Sequence, residues 1–288
     1  MLIYSNGCSH TQGHCVGKTY DMIISEALFN PSNSSELIMR KSSKEWFSEY
    51  NHVVMLNVVN NIDKDVIYRN ANAGKSNNLI FMETYQFVTE CIKKNVKIDY
   101  IIVQTSGPNR RYHSTDWGAY QEVNPHDNWD LGLKFEPWGT METIQWVYLL
   151  QKLFLEHNIP YVFVPFMEWD SESYYLSPYV DLIDWTKFTV NPLEGHRNDF
   201  RQRGNFTCDE AGHPNALGYH HLAELCLSIL EPTKHIEDIS KYYTEEQLVW
   251  AEPEPWRKKF ISNFSKELAD GAPYQITKLM KFFKKDLE

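Results

Sequence analysis

"DYIIVQTS", residues 99 to 106, decides how the rest of the chain is read. It is a nearly continuous apolar run, the mark of a strand buried on both faces, and such strands belong to parallel sheets covered by helices on each side. "PYVFVPF" at 160–166 is a second run of the same kind. Moving outward, "DVIYRN" at 65–70 reads as a third strand, closed by "ANAGKSNN", and Leu2-Ile3-Tyr4 as a short one that must end at Asn6-Gly7.

The segments between these strands carry helical spacing. Ser76 can cap a helix whose apolar face is Phe81, Tyr85, Val88 and Ile92. "TMETIQWVYLLQKLFLEH" at 140–157 sets Trp146, Leu150 and Leu153 on one face. "HPNALGYHHLAELCLSIL" at 213–230 gives a helix with Pro214 near its first turn and Leu222, Leu225 and Ile229 inward. Strands alternating with helices predict an α/β fold with a parallel sheet between two helical layers. Long loops separate 106 from 140 and 166 from 207, and there is no internal repeat or low-complexity tract.

Residues 1–231 form the α/β domain in this reading, and 232–288 a helical C-terminal extension. The extension is rich in charge, with amphipathic stretches at Trp256–Leu268 and Ile276–Leu287, the second flanked by Lys278, Lys281, Lys284 and Lys285. A membrane-surface or partner helix has this pattern. So does a helical appendage that packs on the core or on a second copy of the chain, and that is the expectation adopted, with a homo-oligomer formed through these helices.

Composition limits the function. With 42% hydrophobic and 14% aromatic residues, 288 residues bury a sizeable core. A formal net charge of −10 argues against a bulk nucleic-acid binder, which needs a basic surface to neutralise phosphates. No charged segment followed by an apolar one suggests a signal peptide, and no run approaches the roughly 18 apolar residues of a membrane span. Five scattered cysteines fit reduced thiols. The expectation is a cytoplasmic protein.

Chemistry concentrates first in "NGCSHTQGHC", residues 6 to 15. A phosphate loop fails on counting: "GHCVGKT" leaves three residues between Gly13 and Gly17 where four are needed, and for "GKS" at 74–76 the required glycine would fall on Arg69. Cys8, His10, His14 and Cys15 suit zinc by type, but their spacing matches no zinc pattern. Neither a metal nor a cofactor is expected.

A nucleophile fits better. Ser9 follows the first strand, at the carboxyl edge where parallel sheets place their ligands. A serine needs a base, an orienting acid and oxyanion donors. Gly74 follows the second strand, Asn109 follows the third, and "DEAGHPNALG" at 209–218 brings acids and His213 just before the last helix. Taken alone, Ser9 could be a turn serine, Asn109 a turn residue and His213 a helix-start histidine; His220 and His221 lie about two turns further on, inside the helix.

Together these stretches resemble the SGNH/GDSL hydrolase family over residues 1 to about 231. "GCSHT" is similar to the family's first block, "NAGKSNN" to its second, "GPNR" at 107–110 to its third, and "EAGHPNALG" at 210–218 to its D-x-x-H block. The resemblance implies a three-layer α/β/α sandwich with a flavodoxin-like sheet. It implies Ser9 as nucleophile, His213 as general base, and an oxyanion hole from the N–H groups of Ser9 and Gly74 and the amide of Asn109. Arg110 stands where the family usually has an acid, and the position three before His213 is Glu210, with Asp209 beside it, so either acid can orient the imidazole. The expected substrate is a small-molecule or glycan ester. A non-catalytic binder on the same fold and an acyltransferase are the alternatives. Trp117, Trp129 and Trp138 crowd the loop after the third strand and suit sugars, and Arg197, Arg201 and Arg203 precede the His213 block and suit an anionic group.

Overall fold

The computed structural model describes residues 1–8, 11, 18–29, 35–39, 65–71, 75–108, 111–114, 120–123, 129–165, 177–190, 192 and 214–244. Its centre is a five-stranded, all-parallel sheet built from β1 (Leu2–Asn6), β2 (Ser35–Met39), β3 (Asp65–Arg69), β4 (Tyr100–Thr105) and β7 (Tyr161–Pro165). The order across the sheet is β2-β3-β1-β4-β7. The four strands expected from the sequence thus stand in the order 2-1-3-4, that of flavodoxin-like doubly wound sheets. β2 adds an edge strand that the sequence pattern did not reveal.

Two helices cover each face. α1 (Tyr20–Leu28) packs on α4 (Ala216–Leu230), and α2 (Asn77–Lys93) packs on α3 (Trp129–Glu156). The chain moves one way from β1 to β3 and the other way from β3 through β4 to β7. Crossovers of a single hand therefore put the helices on opposite sides, and the result is the expected three-layer sandwich.

Alternation along the strands sorts the core into two halves. Leu2 and Tyr4, Val66 and Tyr68, Ile101 and Val103, and Tyr161 and Phe163 face α2 and α3. Ile3, Ile67, Ile102, Val162 and Val164 face α1 and α4. Strands β1, β3, β4 and β7 are buried along their whole length, as the apolar runs require.

The helices depart from expectation in detail. On α2 the buried side chains include Phe81, Phe87, Val88 and Cys91, while Tyr85 is 44% exposed, so the inward face is rotated away from Tyr85. On α4 Leu222, Ala223, Cys226 and Leu227 are buried and Leu225 is half-buried. α3 starts at Trp129 rather than near residue 140, although Gly132, Pro137 and Gly139 give that stretch the punctuation of a loop. Its inward face is Ile144, Val147, Leu150 and Phe154, with Trp146 and Leu153 partly buried beside them.

The loop expected after β4 holds a two-stranded antiparallel ribbon of β5 (Arg111–Ser114) and β6 (Tyr120–Val123). Past residue 231 the chain stays on the α1–α4 layer, where Tyr242 and Tyr243 are buried and the Tyr243 hydroxyl donates to the Lys18 carbonyl at 2.7 Å. The amphipathic stretches at 256–268 and 276–287 lie outside the described residues. Among the described residues, no helix is long and apolar enough to cross a membrane.

Candidate functional site

In a doubly wound sheet a crevice opens at the carboxyl ends of the two strands from which the chain departs in opposite directions. Here those strands are β1 and β4, neighbours in the sheet with Asn6 opposite Val103. The loops that follow β1, β3 and β4 are among those that leave this edge. Buried polar side chains hold all three.

On the α1 face the anchor of the β1 loop is Gln104. Its side chain is fully buried, and its Oε1 accepts both the Cys8 N–H at 2.9 Å and the Thr11 hydroxyl at 3.1 Å. The Thr11 N–H also donates to the Cys8 carbonyl at 3.1 Å. Gly7 is needed for this contact. A Cβ there would stand 2.7 Å from Gln104 Oε1 and 2.3 Å from Thr11 Oγ1. Further along, Arg69 at the end of β3 donates to Asp21 Oδ2 and Thr19 Oγ1, each at 2.8 Å, and to the Thr11 carbonyl. A strand that ends in a buried cation is costly unless its hydrogen bonds are met, and Asp21 and the loop oxygens meet them.

On the α2 face the anchor is Lys75. Its ammonium is buried against Asn6 Oδ1 at 2.8 Å, the Asn70 carbonyl and Glu83 Oε2 at 2.5 Å. Asn6 Nδ2 donates in turn to the Tyr4 hydroxyl, the Ile80 carbonyl and Thr84 Oγ1. Burial, then Glu83, pushes the Tyr4 phenol well above its ordinary value, so it stays neutral. One turn of α2 earlier, Asn77 clamps the start of the β4 loop from both sides: Oδ1 accepts the Ser106 N–H at 2.6 Å and Nδ2 donates to the Ser106 carbonyl at 2.9 Å.

The start of α4 reaches the same edge. Asn215 caps it by accepting the Gly218 N–H at 2.9 Å. In its first turn Tyr219 stacks on Tyr20, whose hydroxyl bonds Thr11 Oγ1 at 2.8 Å. Burial first, and Asp21 next, holds the Tyr20 and Tyr219 phenols well above their usual range. They are neutral packing groups with polar tips rather than bases.

Every proposed catalytic residue lies outside the described residues: Ser9, Gly74, Asn109, Asp209, Glu210 and His213. So do Trp117, Arg197, Arg201 and Arg203. Among the described residues no group of histidine, cysteine and acid side chains is placed to hold a metal. Of the tryptophans noted beside the site, Trp138 on α3 is 65% exposed. Sequence reasoning passed over Gln104, Lys75, Arg69 and Asn77. The available signal was a polar residue inside or just after a buried strand, which has to find buried partners.

Compared with protein-family models and with curated proteins, the chain matches none.

Proposed function

We propose that the chain is a serine ester hydrolase. Ser9 Oγ attacks the acyl carbonyl while His213 takes its proton, and His213 then protonates the departing alkoxide. Glu210 orients the imidazole by its three-residue spacing, with Asp209 as the other acid within reach. The N–H groups of Ser9 and Gly74 and the amide of Asn109 stabilise the tetrahedral oxyanion. Water hydrolyses the acyl-serine by the reverse sequence, with His213 again as base, and the free acid leaves. No metal or cofactor enters.

One observation carries this reading. Cys8 and Lys75, inside two of the motif blocks, and Ser106, just before a third, are each fixed by buried polar contacts at one carboxyl edge. Such anchoring is what a preorganised oxyanion hole requires of its scaffold. The capped start of α4, next in sequence to His213, reaches the same edge through Tyr219 and Tyr20.

The substrate in this reading is a small acyl ester on a carbohydrate. Trp117 supplies a platform for the sugar, and Arg197, Arg201 and Arg203 grip an anionic group with their planar forks. Cys91 and Cys226 are buried free thiols, in keeping with a reducing cytoplasm.

The test is labelling with a fluorophosphonate probe, wild type against Ser9→Ala. Labelling that disappears in the folded variant supports the hydrolase. A folded wild type that takes no label favours a binding protein on this fold.

A further inference from the structure

We infer that Gln104 is the positioning residue for the Ser9 nucleophile, an inference that rests on the hydrolase reading. Ser9 and His10 are the two residues between Cys8 and Thr11, and one buried oxygen, Gln104 Oε1, accepts from both ends of that segment. The Thr11 N–H also donates to the Cys8 carbonyl. Gln104 is in turn fixed: it belongs to β4, paired on both sides, and its Nε2 donates to the Thr105 carbonyl. Its position relative to the sheet is therefore set by strand pairing rather than by the loop.

This arrangement matters because an in-line attack tolerates little error. A nucleophile displaced by about 1 Å loses on the order of 100-fold in rate. None of the described residues of the β1 loop is paired in a strand, and a glutamine can hold the loop without adding charge. Its carbonyl oxygen has two lone pairs for two donors, and its amide supplies a donor for the strand's own carbonyl. Aspartate or glutamate would accept as well but would oppose the Thr105 carbonyl with a second oxygen. Gly7 completes the device, because any side chain there would drive Gln104 Oε1 away from Cys8.

Gln104→Met keeps the length and volume but offers no such acceptor. The experiment measures p-nitrophenyl acetate hydrolysis and the rate of fluorophosphonate labelling for wild type, Gln104→Met and Gln104→Glu, with thermal melts alongside. The expected result for Gln104→Met is a fall of about 10- to 100-fold in kcat and in labelling rate, with KM unchanged. Gln104→Glu, which keeps the acceptor, recovers part of the loss. If Gln104→Met does not fold, Thr11→Val removes one of the two bonds and should slow labelling in the same direction. An active wild type with Gln104→Met at wild-type kcat and labelling rate overturns the inference and leaves the hydrolase reading standing. The same holds if the melt falls while the kcat of the folded variant is unchanged. A folded wild type that neither hydrolyses the ester nor takes the label removes both.

Discussion

Arg69 Nε donates to Asp21 Oδ2 across 2.8 Å with the two side chains 5% and 0% exposed, so a full ion pair is sealed between β3 and α1. The same guanidinium carries the carbonyl of Thr11 and the hydroxyl of Thr19. It ties the two described ends of the β1 loop to the sheet.

Removing one partner leaves the other charge buried. Asp21→Asn and Arg69→Met should each cost about 3–5 kcal/mol in urea unfolding. The double variant Asp21→Asn/Arg69→Met should cost less than the sum of the two, because it leaves no stranded charge. Additive losses would mean that the two side chains do not act as a pair.

Gly7→Ala tests the close approach of Gln104. The added Cβ meets Thr11 Oγ1 at 2.3 Å and Gln104 Cβ at 2.9 Å, and both neighbours are hydrogen-bonded in place. Overpacking of this kind costs about 1–3 kcal/mol. A variant that melts at the wild-type temperature would contradict the contact.

Thr105→Val should behave in the opposite way. Among the described residues, the Thr105 hydroxyl at the end of β4 is buried without a hydrogen-bond partner. Valine keeps the shape and relieves the unmet donor, so stability should be unchanged or higher. Chemical denaturation reads this directly, and a clear loss would show that the hydroxyl has a partner.

Alkali should destabilise the fold. Burial, above all, pushes the Cys91 thiol up to about 12 from an ordinary value of 9.0. A group whose folded value is raised contributes stability that is complete below its unfolded value and lost as pH climbs to the folded one. For Cys91 that window runs from about pH 9 to 12, at roughly 1.4 kcal/mol per pH unit. The phenols of Tyr4, Tyr20 and Tyr219, all raised well above 10.0 chiefly by burial, act in the same direction. Ultraviolet titration should show these tyrosines ionising only as the protein unfolds. Native Cys91 should resist a thiol reagent at pH 8.

The sheet was legible because strands buried on both faces have to be apolar throughout. "DYIIVQT" and "YVFVP" leave no other reading, and each falls within a residue or two of its expected bounds. β2, "SELIM", carries too little contrast with its neighbours to stand out at a sheet edge. α1 was readable from Thr19 and Asp21 ahead of Ile23, Ile24 and Leu28, and was passed over for the motif beside it. The anchors of the site were hidden for another reason. Lys75 looked like part of a phosphate loop and Gln104 like the end of a strand, and only tertiary structure brings Asn6 to the one and Cys8 to the other.

The place of β1 in the sheet also sets an order of events. β1 is the central strand, with Ile3 paired to Ile67 on one side and to Tyr100 on the other. During synthesis it emerges well before either partner and must wait, an apolar strand with both edges open, until β3 and β4 follow it from the ribosome. Pairings this distant in sequence are slow to form and expose the waiting strand to aggregation. The Cys8 N–H and the Thr11 hydroxyl wait as well, because their acceptor, Gln104, sits near the end of β4. A chain arrested before residue 104 would leave the Cys8 N–H and the Thr11 hydroxyl without the buried oxygen that accepts from both.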